Sequence, residues 1–233
     1  MHSDVEVLAD PPAVARAAAA YVAERARVAV ADHGSFHFAV SGGHTPWAMF
    51  AELAAEDVPW DHVVLYQVDE RVAPAGDPDR NLTHIRDSLL AHAPIVAANV
   101  HAMPVEDTDL AAAAARYAQT LATIAGTPPV LDLVHLGLGP DGHTASLVPG
   151  DPVLDEDFLN VSITQPYQGH RRMTLTYPVL NRSRCVLFVV TGAEKVKALD
   201  LLRAGDRRIP AARVTGERSV VMADAAAAGG QDK

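Results

Sequence analysis

The segment Gly137-Leu138-Gly139-Pro140-Asp141-Gly142-His143-Thr144-Ala145-Ser146-Leu147 follows an apolar, strand-like run, and its first seven residues hold three glycines, one carboxylate and one imidazole. A glycine-rich turn at the end of a buried strand lets the backbone approach a ligand closely and aims the Asp and the His at it. Asp141 and His143 lie two apart, so an extended segment sends both side chains to one face. With an unperturbed pKa of about 6.5, His143 is suited to taking a proton from water near neutrality, and a carboxylate beside it fixes the ring. The alternative is a loop histidine bonded to its own backbone; the chain has 11 histidines, so number alone selects none. Nothing like His-Glu-x-x-His occurs, so no metal is expected. Ser146 lies three residues after His143 but lacks the Gly-x-Ser-x-Gly surroundings of an activated serine.

Other segments offer groups that hold anions. Ser41-Gly42-Gly43-His44-Thr45-Pro46 follows a second apolar run and opens a helical pattern. Its free amides and the Ser41 and Thr45 hydroxyls suit a phosphate, and the alternative is a plain tight turn with Thr45 as N-cap. It lacks the full dinucleotide fingerprint and a Walker lysine. In Asp69-Glu70-Arg71, the guanidinium either forks onto phosphate oxygens or neutralises Glu70 or Asp79. Asn81 either orients that loop or touches a sugar hydroxyl. Lys195, in Thr191-Gly192-Ala193-Glu194-Lys195, is either solvent-exposed or reaches an anion at the mouth of a site. The strand-like 171–176 stretch alternates its arginines between faces, and Arg172 is favoured to point inward. Trp47 and Trp60 are expected to pack, and Cys185 to be buried and inert.

The elements that must position these groups are visible as apolar runs of strand length at 36–40, 63–68, 131–136, 185–191 and 219–222. Helical patterns lie between them, at 12–30, 45–55, 110–125 and 193–204. This alternation argues for a single α/β domain over residues 1–233, a Rossmann-like three-layer sandwich with a mostly parallel central sheet and helices on both faces. Ligands bind such folds at the carboxyl ends of strands, where three of the motif segments fall. Residues 224–233 are expected to fray. With 19 basic and 29 acidic residues, a net charge of -10 and no basic run, nucleic acid is an unsuitable partner, whereas a local group of cations can still hold a small anion. One cysteine allows no intramolecular disulfide. No long uncharged apolar stretch is present, so neither a membrane nor a targeting segment is expected, and the chain reads as cytoplasmic.

Taken together, the Ser41, Asp69, Gly137–Pro149, Arg172-Met173-Thr174-Leu175-Thr176 and Gly192–Lys195 segments, with Asp79-Arg80-Asn81, resemble the 6-phosphogluconolactonase family over most of the chain. The wider superfamily includes glucosamine-6-phosphate deaminases and isomerases, which typically continue past Asp-Gly-His with Ala-Phe-Asn-Glu-Pro. Here Ala145-Ser146-Leu147-Val148-Pro149 stands there, and Val148 cannot do the acid-base work of ring opening. The resemblance implies hydrolysis of a phosphorylated sugar lactone without cofactor or metal. His143 and Asp141 are then catalytic, and Ser41, Gly42, Gly43, Thr45, Asp69, Arg71, Asn81, Arg172 and Lys195 bind substrate and its phosphate. A monomer or weak homodimer is expected. The alternatives are an amino-sugar-phosphate deaminase or isomerase, and a non-catalytic sugar-phosphate sensor. One departure is that Tyr167-Gln168-Gly169-His170-Arg171 stands where many members carry prolines, which leaves the approach of Arg172 open.

Overall fold

The computed structural model describes residues 4–230. The strands are β1 (Asp4–Leu8), β2 (Phe36–Val40), β3 (Val63–Gln67), β4 (Asp69–Arg71), β5 (Val100–His101), β6 (Leu133–Leu136), β7 (Val161–Ile163), β8 (Arg172–Leu175), β9 (Cys185–Val190) and β10 (Arg218–Asp224). The α-helices are α1 (Pro11–His33), α2 (His44–Ala54), α3 (Asn81–Ile85), α4 (Leu110–Ala125), α5 (Tyr177–Asn181) and α6 (Val196–Arg203).

Local chemistry sets α1. The Asp10 carboxylate accepts the Ala13 N–H at 2.8 Å, and two prolines fill the first turn, where no amide hydrogen is needed. The helix runs past the expected residue 30 to His33, because Gly34 is the residue that turns left-handed, with φ 85°, and closes its N–H onto the Val30 carbonyl. Its buried face is largely alanine, which lets it lie close to the sheet and α2.

Seven strands form one parallel sheet in the order β1-β10-β9-β6-β2-β3-β5. The order climbs from β2 through β3 to β5; the chain then crosses back and lays β6 on the other side of β2. Loops leaving the carboxyl ends of β2 and β6 therefore part and leave a crevice at this switch point. One face of the sheet packs Phe36, Phe38, Leu65, Leu133 and Leu187 under α1 and α2. The other packs Ala39, Tyr66, Val134, Leu136 and Phe188 under α4 and α6. Burial on both faces is why these strands read as continuous apolar runs. Phe38 and Phe188 are essentially inaccessible, and burying each stabilises the fold by about 2–3 kcal/mol.

A second sheet, antiparallel and three-stranded, runs β4-β8-β7. It corrects the expectation that Asp69-Glu70-Arg71 is a strand-end loop. Val68 donates its N–H to the Val40 carbonyl in the parallel sheet at 2.9 Å, while its own carbonyl accepts from Leu175 in the antiparallel one at 2.8 Å. One residue thus hands the chain from sheet to sheet. Residues 224–230 correct the expectation of fraying: buried Asp224 accepts the N–H groups of Gly192 (3.1 Å) and Ala227 (2.8 Å), and Ala227 is buried too. The remainder of that expected tail, 231–233, lies outside the described residues. No helix among the described residues is long and apolar enough to cross a membrane. Cys185 is buried with its thiol 3.3 Å from the Tyr21 hydroxyl, and burial pushes its pKa up.

Candidate functional site

A cleft of about 520 Å³ opens over the carboxyl ends of β2, β6 and β9. Ser41, Gly42, Gly43 and Thr45 enter it from the loop after β2 and the first turn of α2. Asp69 and Arg71 come from β4, and Asn81 from the start of α3. His143 comes from the loop after β6, Arg172 from the start of β8 and Lys195 from the 3-10 turn that precedes α6. Asp141 does not line the cleft; it stands behind His143.

The Asp141 Oδ1 accepts both the backbone N–H of His143 (3.1 Å) and its ring Nδ1–H (2.5 Å). A carboxylate on Nδ1 makes that nitrogen the donor and leaves Nε2 as an acceptor. The pairing does not arise from an extended segment, as expected, but from an Asx-type turn in which Gly142 has φ 83°. The ring fits only because residue 139 is glycine: a Cβ there would lie 2.1 Å from His143 Nδ1. Partial burial works to raise the Asp141 pKa, but the His143 N–H, the charge of the imidazole and the ring hydrogen bond outweigh it, and the net shift is downward.

Elsewhere along the cleft, Arg172 is buried with its Nε unpartnered, and the buried Ser41 hydroxyl is unpartnered too. Such orphans are rare in native interiors, and both here line the cleft. Lys195 Nζ lies 3.7 Å from a Glu194 carboxylate oxygen, a loose pair that leaves the cation available. Thr45 is not an N-cap. Gly43 holds that position with φ 119° and no side-chain cap, while the Thr45 hydroxyl meets that of Thr191 at 2.8 Å. The residue that caps α2 therefore brings no side-chain acceptor to the helix start at the cleft.

Two adjacent carboxylates behave differently. Glu70 is fully buried and paired: it accepts the N–H groups of Arg71, Asn81 and Leu82 and the Gln67 amide, each at 2.8 Å, and lies 3.2 Å from Arg80 Nε. Glu70 thus anchors the start of α3 and is neutralised by Arg80, not by Arg71. The Arg71 guanidinium instead bonds the Asp79 carbonyl at 2.8 Å and faces the cleft. Asp69 accepts from the Ser146 hydroxyl at 2.6 Å, while Asn81 Nδ2 bonds the Asp69 carbonyl at 3.0 Å. Burial raises the Asp69 pKa, against the Ser146 hydrogen bond and the Arg172 charge. Ser146, buried and committed to Asp69, is not placed as a nucleophile. Asn81 orients the loop, with its side chain in the space that a Cβ on Gly42 would fill.

Spacing gave no sign of what Ser146, Arg80, Asp224 and Tyr167 do, because their partners Asp69, Glu70, Gly192 and Asp141 lie at least ten residues away in the chain. Tyr167 settles the approach of Arg172: the guanidinium lies over its ring, 5.1 Å from the centroid. Val148 is buried and does not line the cleft. Among the described residues, no three His, Cys, Asp or Glu side chains converge to hold a metal ion.

Residues 9–222 match the model of the family described as glucosamine-6-phosphate isomerases/6-phosphogluconolactonase. A 6-phosphogluconolactonase of Nostoc sp. is 37% identical over 85% of this chain and 84% of its own length. One from Streptomyces coelicolor is 35% identical over 98% of this chain and 92% of its own. The crystal structure of 6-phosphogluconolactonase from Thermotoga maritima superposes with a TM-score of 0.86, at 26% identity, over 95% of this chain and 99% of that one.

Proposed function

The chain belongs to the glucosamine-6-phosphate isomerase/6-phosphogluconolactonase family, and we infer that it hydrolyses 6-phospho-D-glucono-1,5-lactone to 6-phosphogluconate with His143 as the base. This reaction is the second step of the oxidative pentose phosphate pathway. The observation that carries the assignment of the base is an imidazole held at Nδ1 by Asp141, at the edge of a cleft that also contains Arg71, Arg172 and Lys195.

His143 Nε2 takes a proton from water as the water oxygen attacks the lactone carbonyl carbon. The carbonyl electron pair moves onto its oxygen, and Asp141 stabilises the imidazolium that forms. As the tetrahedral oxyanion collapses, the bond to the ring oxygen breaks and that oxygen takes the proton back from the imidazolium. Arg71, Arg172, Lys195, Thr45 and the amides of Gly42 and Gly43 hold the phosphate, so the carbonyl is fixed against the water. The unpartnered Ser41 hydroxyl adds a donor for that phosphate, Asp69 meets the hydroxyls of the sugar, and Asn81 holds the loop behind them. Deamination has no support at position 148, where the family's ring-opening glutamate is replaced by a buried valine.

The test is acid release from freshly generated 6-phosphogluconolactone, followed with and without a chelator, beside an ammonia-release assay on glucosamine 6-phosphate. Lactone consumption well above the spontaneous rate, insensitive to chelator and without ammonia, is expected. Ammonia release without lactone consumption would reverse the reading.

A further inference from the structure

The geometry points to Tyr167 as a positioning residue that links the catalytic base to the anion-holding arginine. This rests on the lactonase reading and deepens it. Tyr167 sits at the tip of the hairpin between β7 and β8, where it exchanges backbone bonds with His170 at 2.9 and 3.2 Å. Gln168 and Gly169 between them are both left-handed, with φ 51° and 85°, the pattern of a type I′ turn whose twist matches the strands. His170 in turn contacts the Asp79 carboxylate at 3.0 Å. The position of Tyr167 is therefore set by its own turn and by an outside anchor.

From that tip the side chain reaches both halves of the site. Its hydroxyl donates to Asp141 Oδ2 at 3.3 Å, while Oδ1 of the same carboxylate holds the His143 ring. With each oxygen on a different partner, Asp141 cannot rotate without losing one. The Tyr167 ring also stands edge-on to the imidazole, with centroids 5.6 Å apart at 67°. Partial burial first, and then the Asp141 charge and hydrogen bond, raise the phenol pKa, so it remains a donor. The ring face carries the Arg172 guanidinium at 5.1 Å, within cation–π range, and Gln168 Oε1 accepts from Arg172 Nη2 at 3.4 Å. These contacts occupy one side of Arg172, whose Nε is left unpartnered.

The two functions of Tyr167 separate by substitution. Tyr167→Phe keeps the ring and removes the bond to Asp141. It should lower kcat roughly five- to tenfold, the loss of one hydrogen bond to a charged group, with KM within about twofold of wild type. Tyr167→Leu removes the ring as well and should add a roughly threefold rise in KM and in the inhibition constant of inorganic phosphate. Both variants are compared with wild type and His143→Ala on 6-phosphogluconolactone, with thermal midpoints as the check on folding. An inactive His143→Ala beside a Tyr167→Phe whose kcat lies within twofold of wild type overturns the positioning role alone. So does a Tyr167→Phe that raises KM and leaves kcat unchanged. A fully active His143→Ala overturns the reading of the base itself.

Discussion

The two ends of the parallel sheet treat buried polar groups in opposite ways. At the amino end, Asp132 is almost completely enclosed and satisfied within the chain: it accepts the His37 N–H at 2.8 Å, meets His33 Nε2 at 3.0 Å and lies 3.2 Å from Arg184 Nε. At the carboxyl end, Asp69 is buried with its pKa raised, and Ser41 Oγ and Arg172 Nε have no partner. Asp132 stands just before β6, and the groups around it come from the end of α1, the start of β2 and the residue before β9, which close on one another. The carboxyl-end groups face a crevice that the reversal of strand order keeps open. A polar group that can reach another protein group stabilises the fold; one directed into a crevice remains available to a ligand, and the fold carries the cost of leaving it unpaired.

The largest test of this contrast is His143→Ala. Turnover should fall roughly 10³-fold, equivalent to about 4 kcal/mol. The unfolding midpoint should barely move, because the ring's hydrogen-bond partner is the partly exposed Asp141 at the cleft edge. Asp132→Ala should do the reverse: lost stability of about 2–3 kcal/mol in denaturant titrations, with kcat per folded molecule unchanged. A large fall in kcat there would dissolve the distinction between the two ends.

His135, on β6 in the middle of the sheet, tests the rule most finely. It is fully buried, both ring nitrogens are unpartnered, and its ring packs against Phe50 at 5.9 Å. Unlike the cleft orphans it faces no ligand, so His135→Leu should stabilise the protein by about 1 kcal/mol without altering catalysis. Burial lowers its pKa from 6.5 to about 3. Between those values the unfolded chain binds a proton that the folded chain does not, so this residue makes stability fall as pH drops through that window. The leucine variant should unfold at lower pH in an acid titration. Equal acid midpoints for the two proteins would mean that His135 is not held neutral by burial.

Much of the architecture is legible in the residues themselves. The runs at 36–40 and 185–191 become β2 and most of the latter β9, because strands covered on both faces need unbroken apolar sequence. Asp10, Pro11, Pro12 and Gly34 carry the boundaries of α1 by local bonding. The small antiparallel sheet is not legible: Asp69-Glu70-Arg71 is polar and three residues long, and it is a strand only because β8 comes alongside. In the site, the Asp141–His143 pair is visible as a spacing, but its geometry depends on a turn and on the bare Cα of Gly139. The two carboxylates Asp69 and Glu70 cannot be told apart in the chain, since what separates them is Arg80 for one and Ser146 for the other.

By itself the sequence determined the parallel sheet, the helices that cover it and the strand-end placement of the glycine-rich loops. These depend on periodicity, local capping and residue type, all of which act over a few neighbouring positions. Only the tertiary structure decided which arginine neutralises Glu70, which oxygen of Asp141 holds His143, and that Tyr167 stands between His143 and Arg172. The Glu70–Arg80 and Asp141–Tyr167 contacts span 10 and 26 residues of chain, and even the two-residue Asp141–His143 pair takes its geometry from a turn packed against its surroundings; no local rule encodes which loops will meet.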